Sequence, residues 1–301
     1  MASLVTRVGW KIQYLGMPIL RRFDPILAAQ VQHFIQLKTW PNIKHPKDFN
    51  EKLHWLNLCT EHPLMPSCAE KYGVRAYAEA CDCGDLLNQA YGLYNSTEEI
   101  DWEALPDQFV LKCTHGCGFN LFCLDKAVAN RSEITTQLNK WLKMDFSRVL
   151  NERHYAKMPH RIVCERYLGS STGELPWDYK VYCFNGEARL VLVVKNRELK
   201  ATYGVFDTQW QRMPILIPED DSDEEMKRPA RLAEMLKCAA ILSKPFSFVR
   251  VDFYEIEGKL ILGEMTFTPS GCMENYTREG IQMLGDLLDL SGNHDGKGEI
   301  R

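Results

Sequence analysis

Residues 245–271 read PFSFVRVDFYEIEGKLILGEMTFTPSG, two strands joined at Glu257-Gly258. Side chains alternate from Phe248 to Tyr254, so Arg250, Asp252 and Tyr254 share one face and Val249, Val251 and Phe253 the other. The same period groups Leu260, Leu262, Glu264 and Thr266 in the return strand. A hairpin turning near Gly258 then sets Asp252 roughly opposite Glu264. Like charges across a ladder are destabilising, and buried unpaired carboxylates cost far more. A positive group belongs between them. Arg250 supplies it if this is the wet face of an ordinary hairpin; Mg2+ shared with substrate phosphates supplies it if this is a site. Apolar residues on both faces favour a covered sheet. The turn Thr268-Pro269-Ser270-Gly271 adds backbone N–H groups near the same end.

The chain has 301 residues, enough for one large domain or two modest ones, and a formal net charge of -4 that argues against a general nucleic-acid binder. The start of the chain is an exception. Arg7, Lys11, Arg21 and Arg22 all precede the first acid, Asp24, and are interleaved with apolar residues. Such a basic arm packs on its own domain, or meets an anionic membrane or carrier. No uninterrupted run is long enough to span a bilayer, and Lys11, Gln13 and Pro18 break the only early apolar stretch. The eleven cysteines are therefore expected as reduced thiols of a cytoplasmic protein. Cys113, His115, Cys117 and Cys123 lack the paired spacing of a zinc site.

Working outward from the hairpin, residues 1–105 read as mainly helical. Asp24 caps a helix begun by Pro25, with an apolar stripe of Leu27, Val31, Phe34 and Ile35. Asn50 precedes a second helix, and Ser67 with Glu70 form a capping box for a third that runs to about Ala80. Lys71 and Arg75 share a face of that third helix and suit an anionic group. Residues 106–168 change texture. A strand from Phe109 to Thr114 carries Lys112, the turn His115-Gly116-Cys117-Gly118-Phe119-Asn120 follows, and a later strand carries Glu165, Arg166, Tyr167 and Leu168. A strand lysine beside a glycine turn can clamp phosphates, although neither a dinucleotide fingerprint nor a P-loop is present. Residues 169–301 hold Asp178 and Lys180 two apart on one strand, an Asn185-Gly186 hairpin turn and the carboxylate hairpin. Each of these residues alone is well explained as a surface ion pair; their order along the chain is not.

That order resembles the ATP-grasp superfamily, most closely its TupA-like family of polysaccharide and teichuronopeptide biosynthesis. The carrying segments are Phe49-Asn50-Glu51-Lys52, Glu70-Lys71-Tyr72, Phe109-Val110-Leu111-Lys112, Cys164-Glu165-Arg166-Tyr167-Leu168, Asp178-Tyr179-Lys180, Val249-Arg250-Val251-Asp252 and Gly263-Glu264-Met265-Thr266. The resemblance implies an α+β fold, with two small lobes around a nucleotide cleft and a helical N-terminal region. It implies ATP and Mg2+ as cofactors. Lys112, His115, Gly116, Gly118 and Lys180 would face the phosphates; Glu165, Arg166, Tyr167 and Leu168 the adenine; Asp178 the ribose or Lys180. Asp252, Glu264 and Thr266 would hold metal, and Arg250, Lys112 and Lys180 would assist the chemistry. The implied reaction is ATP-dependent amide formation through an acylphosphate, between a carboxylate and an amine on a small molecule, peptide or glycan. A kinase or a nucleotide-binding scaffold remains open. Thr266 departs from the superfamily, which places asparagine there, and Asn275 is a possible substitute ligand.

Overall fold

The computed structural model describes residues 17–148, 151–170, 174–196, 200–222 and 224–292. Helix α1 (Met17–Phe23) stops at Asp24, whose carboxylate accepts the Leu27 N–H at 2.8 Å and starts α2 (Pro25–Leu37). The cap is as expected, but the stripe is inverted. Ala28, Ala29, Gln32 and His33 are buried, whereas Leu27, Phe34 and Ile35 are exposed. The small side chains permit close packing, and His33 is drawn inward by the His54 ring nitrogen at 3.3 Å.

Helix α3 (Phe49–Cys59) starts earlier than expected, because Asp48 and Glu51, not Asn50, make the capping box. Asn50 is instead buried and holds residue 274 at both backbone groups, donating to its carbonyl at 2.9 Å and accepting its N–H at 3.0 Å. The expected third helix is two pieces, α4 (Met65–Ala69) and α5 (Val74–Ala80). Ser67 caps neither. Buried Glu70 breaks the helix by taking the Gly73 N–H and pairing with Arg161 at 3.1 Å.

Among the described residues, nine strands form two antiparallel sheets. The smaller has the order β1-β4-β2-β3, from β1 (Ala90–Tyr94), β2 (Phe109–Cys113), β3 (Asn120–Cys123) and β4 (Ile162–Arg166). Strand β1 was not anticipated in the helical third; every one of its residues is only half-buried, so no clear alternation marks it. Helix α6 (Arg131–Leu142) covers this sheet, closing a core of Phe109, Leu111, Ile162, Cys164 and Leu138.

The larger sheet has the order β7-β6-β5-β8-β9, from β5 (Asp178–Phe184), β6 (Glu187–Lys195), β7 (Thr202–Asp207), β8 (Phe248–Ile256) and β9 (Lys259–Thr266). Strand β7 is a second element not foreseen. Helix α7 (Leu232–Ser243) packs Met235, Ala239 and Leu242 on Val181, Val249, Val251 and Phe253. On the opposite face, α3 and α8 (Arg278–Leu287) close Phe49, Leu53 and Leu284 over Tyr182, Phe184 and Leu190. These helices reach only part of that face. The remainder, at Asp178, Lys180, Asp252 and Glu264, is turned toward the smaller sheet.

Candidate active site

Register decides what the hairpin presents. A two-residue turn at Glu257 and Gly258 pairs Ile256 with Lys259 and Phe253 with Leu262, and plain continuation would oppose Asp252 to Gly263. The register shifts there, so Gly263 is the extra residue and Asp252 faces Glu264. The bulge corrects the simple alternation: Leu260 and Leu262 join the core behind the sheet, and Glu264 and Thr266 take the opposite face.

Opposed carboxylates are neutralised by side chains. The Arg250 guanidinium grips Asp252 through Nε to Oδ1 and Nη2 to Oδ2, both 2.7 Å, and reaches Thr266 Oγ1 at 3.2 Å and Glu264 at 3.4 Å. Lys180, paired with Asp252 across β5 and β8, lies 2.6 Å from both Asp252 and Asp178. Burial acts to lower the Lys180 pKa, yet Asp252, Asp178 and Glu264 hold it raised. Glu264 differs from its neighbours in being 40% exposed. Desolvation pushes its pKa up, but Lys180, Lys71, Arg250 and the Thr266 hydroxyl outweigh that and bring it down to about 2.

Opposite this floor, β2 presents Lys112, whose ammonium is 2.7 Å from Glu165 on β4. Desolvation opposes the Lys112 charge; Glu165, Tyr254 and Glu264 more than compensate, so its pKa is raised and the two sheets share one field. Between the sheets lies a cavity of about 250 Å³ lined by Val110, Lys112, Phe122, Tyr167, Leu168 and, from the larger sheet, Tyr254. Arg166 lines it too, with its backbone already engaged: its N–H donates to Gln89 and its carbonyl accepts from Asn88, each at 2.9 Å.

The glycine turn is divided. The Gly116 carbonyl accepts from the Lys71 ammonium, and Gly118, at φ 73°, has open space where a Cβ would stand. His115 is fully buried and lies outside the cleft, bonded to the Trp141 carbonyl at 3.2 Å and stacked on His160 at 3.7 Å. Burial and the His160 charge hold it neutral, with a pKa down to about 4.

Two residues emerge that the sequence did not assign to this cleft. Lys71 does not share a helical face with Arg75, since the break at residues 70–73 sends Lys71 to the glycine turn and Arg75 to the Asn88 carbonyl at 2.8 Å. Buried Glu152 accepts from the Thr268 hydroxyl and feels the charge of Glu264. Neither position is readable from local period, although Glu70-Lys71-Tyr72 belongs to the motif set.

The profile described as TupA-like ATPgrasp matches residues 51–289. The chain belongs to the TupA-like ATP-grasp family. Its α+β architecture, with two sheet-bearing lobes and helices ahead of them, is the ATP-grasp arrangement. Among solved structures, D-alanine–D-alanine ligase from Bacillus anthracis complexed with ATP is 14% identical, with a TM-score of 0.46, over 74% of this chain and 66% of that one. ATP-grasp ligase PsnB complexed with its minimal precursor is 13% identical, with a TM-score of 0.42, over 75% of this chain and 62% of that one. This chain thus spans about two thirds of the length of the ligases it matches. No curated protein sequence matches it.

For the magnesium of an ATP-grasp site, the donor chemistry fits: Asp252, Glu264 and the Thr266 hydroxyl are hard oxygen donors on one face. Mg2+ ordinarily takes one or two carboxylates and fills its shell with phosphate and water. Among the described residues no group of three or more His, Cys, Asp or Glu is gathered for a metal, so phosphate oxygens would have to complete the shell. All eleven cysteines are free thiols.

Proposed function

We propose that this protein is an ATP-dependent carboxylate–amine ligase that forms an amide through an acylphosphate. The supporting observation is the facing of two sheets across one cleft, with Lys71, Lys112, Lys180 and Arg250 converging on Glu264 beside a cavity. In this reading the cavity takes the nucleoside, with Glu165 orienting Lys112 and with Tyr167 and Leu168 against the base. Lys71, Lys112 and Lys180 hold the phosphates, beside the Gly116 and Gly118 turn, and Asp178 orients Lys180. His115 supports that turn from behind. Magnesium, held by Glu264 and Asp252 with Thr266 alongside, would offset charge on the β- and γ-phosphates.

The acceptor carboxylate attacks the γ-phosphorus, the bond to the β-phosphate oxygen breaks, and ADP leaves. The amine then adds to the acyl carbon and phosphate departs with the C–O bond, leaving an amide; the amine proton passes to solvent or a base. Arg250 is placed to stabilise the oxyanion of that addition, and four pre-oriented cations lower the cost of charge as it develops. The acceptor is a small molecule, peptide or glycan bearing a carboxylate, of the kind built in polysaccharide synthesis. The basic N-terminal arm favours an anionic carrier, and the reduced cysteines favour a cytoplasmic setting.

The test is an ATP-dependent screen of amino acids, peptides and uronic acids, read by product mass. Joining of two partners with loss of water supports ligation. Gain of one phosphoryl group replaces it with a kinase, and nucleotide binding without product would leave a scaffold.

A further inference from the structure

The inverted helix leaves apolar side chains that no described residue covers fully. On α1, Ile19 and Phe23 stand four apart and are 63% and 81% exposed. On α2, Leu27, Phe34 and Ile35 share the outer side, and Trp40 packs its ring against Phe34 at 6.0 Å while remaining exposed. Isolated exposed apolar side chains are ordinary; six on two consecutive helices and the turn after them are not. None of them lines the cleft.

Charge narrows the occupant. Residues 1–23 contain Arg7, Lys11, Arg21 and Arg22 and no acid. Arg21 turns inward to Gln32 at 3.0 Å, but Arg22 is exposed on α1 and Lys38 is exposed at the end of α2. Asp24, the next acid along the chain, has its carboxylate engaged as the α2 cap, and the inward Arg21 feels the charge of Glu152. A second copy of the chain meeting this face about a two-fold axis would bring together two patches that both carry Arg22 and Lys38. A lipid surface with anionic head groups complements both properties. Apolar side chains enter the acyl boundary, Trp40 sits at head-group depth, and the cations meet phosphate. No helix among the described residues is long and apolar enough to cross a bilayer, so the contact is peripheral.

We infer that α1 and α2 form a membrane-docking face that holds the enzyme against an anionic lipid surface. The full chain should sediment with phosphatidylcholine vesicles containing phosphatidylglycerol and bind pure phosphatidylcholine far less, with added salt weakening the first. Replacing both aromatics, Phe23→Ser with Phe34→Ser, should lower vesicle affinity at least about tenfold, from the apolar area they bury. The thermal midpoint should move little, since Phe23 is exposed and Phe34 gives up mainly its contact with Trp40. Arg22→Glu with Lys38→Glu should abolish the preference for phosphatidylglycerol. Absence of vesicle binding, or equal binding by the aromatic variant, overturns the inference. So does a concentration-dependent dimer in light scattering that the aromatic variant dissolves, which would make a second copy the occupant. None of these readouts depends on ligase turnover.

Discussion

Asp252 and Glu264 are paired across the hairpin but bear different loads. Asp252 is buried and holds Arg250 and Lys180 together; Glu264 is 40% exposed and, among the described residues, bonds to Arg250 and Thr266. Glu264→Gln should therefore sharply reduce magnesium-dependent ATP turnover while costing less stability than loss of the Asp252 charge, because the exposed carboxylate is partly screened by solvent. Asp252→Asn should lose turnover and also about 1–3 kcal/mol of stability, because Arg250 loses its two-point carboxylate partner while Lys180 keeps Asp178. Chemical denaturation of both variants separates these outcomes, and equal stability loss would contradict the assignment. Lys71→Met should raise the Kd for ATP, because it removes a cation whose charge reaches Glu264. Glu152 gives a pH test at the same scale. Burial raises its carboxyl from 4.5 to about 8, with Glu264 adding to the rise and with Thr268 and Arg21 opposing it. An acid raised on folding contributes stability present below 4.5 and lost as pH climbs through about 8. Glu152→Gln should flatten that decline. At this scale the sequence disclosed residues that sit two apart on a strand. It concealed Lys71 and Glu152, whose places depend on a broken helix and on contacts reaching from residue 152 to residue 268.

Elements were legible where a local cause sufficed. Asp24 and Pro25 define a helix start by themselves, and the Asn185-Gly186 turn joins β5 to β6 as a two-residue hairpin should. Failures occurred where a distant partner won. The α2 stripe pointed inward by period, yet the buried His33–His54 contact rotates the helix the other way. The Ser67 capping box lost its Glu70 to Arg161, and strict alternation in β9 lost to the bulge at Gly263. Close packing of α8 on α3 is another such long-range condition. A Cβ at Gly285 would stand 2.9 Å from the backbone of Asp48 and Lys47, which cap α3 and cannot yield as a side-chain tip would. Gly285→Ala should cost about 1–3 kcal/mol as an overpacked contact, measured from the urea midpoint. Lys52 closes the same junction by donating to the Gly285 and Leu288 carbonyls at 2.8 and 2.7 Å, so Lys52→Met should weaken it without a clash. If Gly285→Ala is neutral, the helices slide and the junction is softer than the geometry requires.

At the scale of the molecule, the fold is a set of covered sheets whose uncovered faces make the cleft, and its buried histidines are distributed among those layers. His54 lies against α2, His115 behind the glycine turn, and His154 beside Phe267 under the hairpin loop. Burial lowers His54 to about 3, with His33 adding to the effect, and lowers His154 to about 4. Burial and His160 bring His115 to about 4 as well. Each is a neutral imidazole in the folded chain and an ordinary one, at 6.5, in the unfolded chain. The unfolded state therefore takes up more protons as pH falls below 6.5, and stability is lost from there toward pH 4. Glu152 acts in the opposite sense between 4.5 and about 8, joined from lower pH by Asp48 and Asp252, which burial also raises, while burial lowers His33 along with the other three imidazoles. Stability should thus climb with pH up to about 6.5, then decline gently until Glu152 ionises in the folded state. Denaturation midpoints across this range should show that maximum, and Glu152→Gln should turn the alkaline side into a plateau. A profile that stays flat from neutrality down to pH 4.5 would mean the imidazoles take up protons in place, and that the layers over them open far more readily than their packing allows.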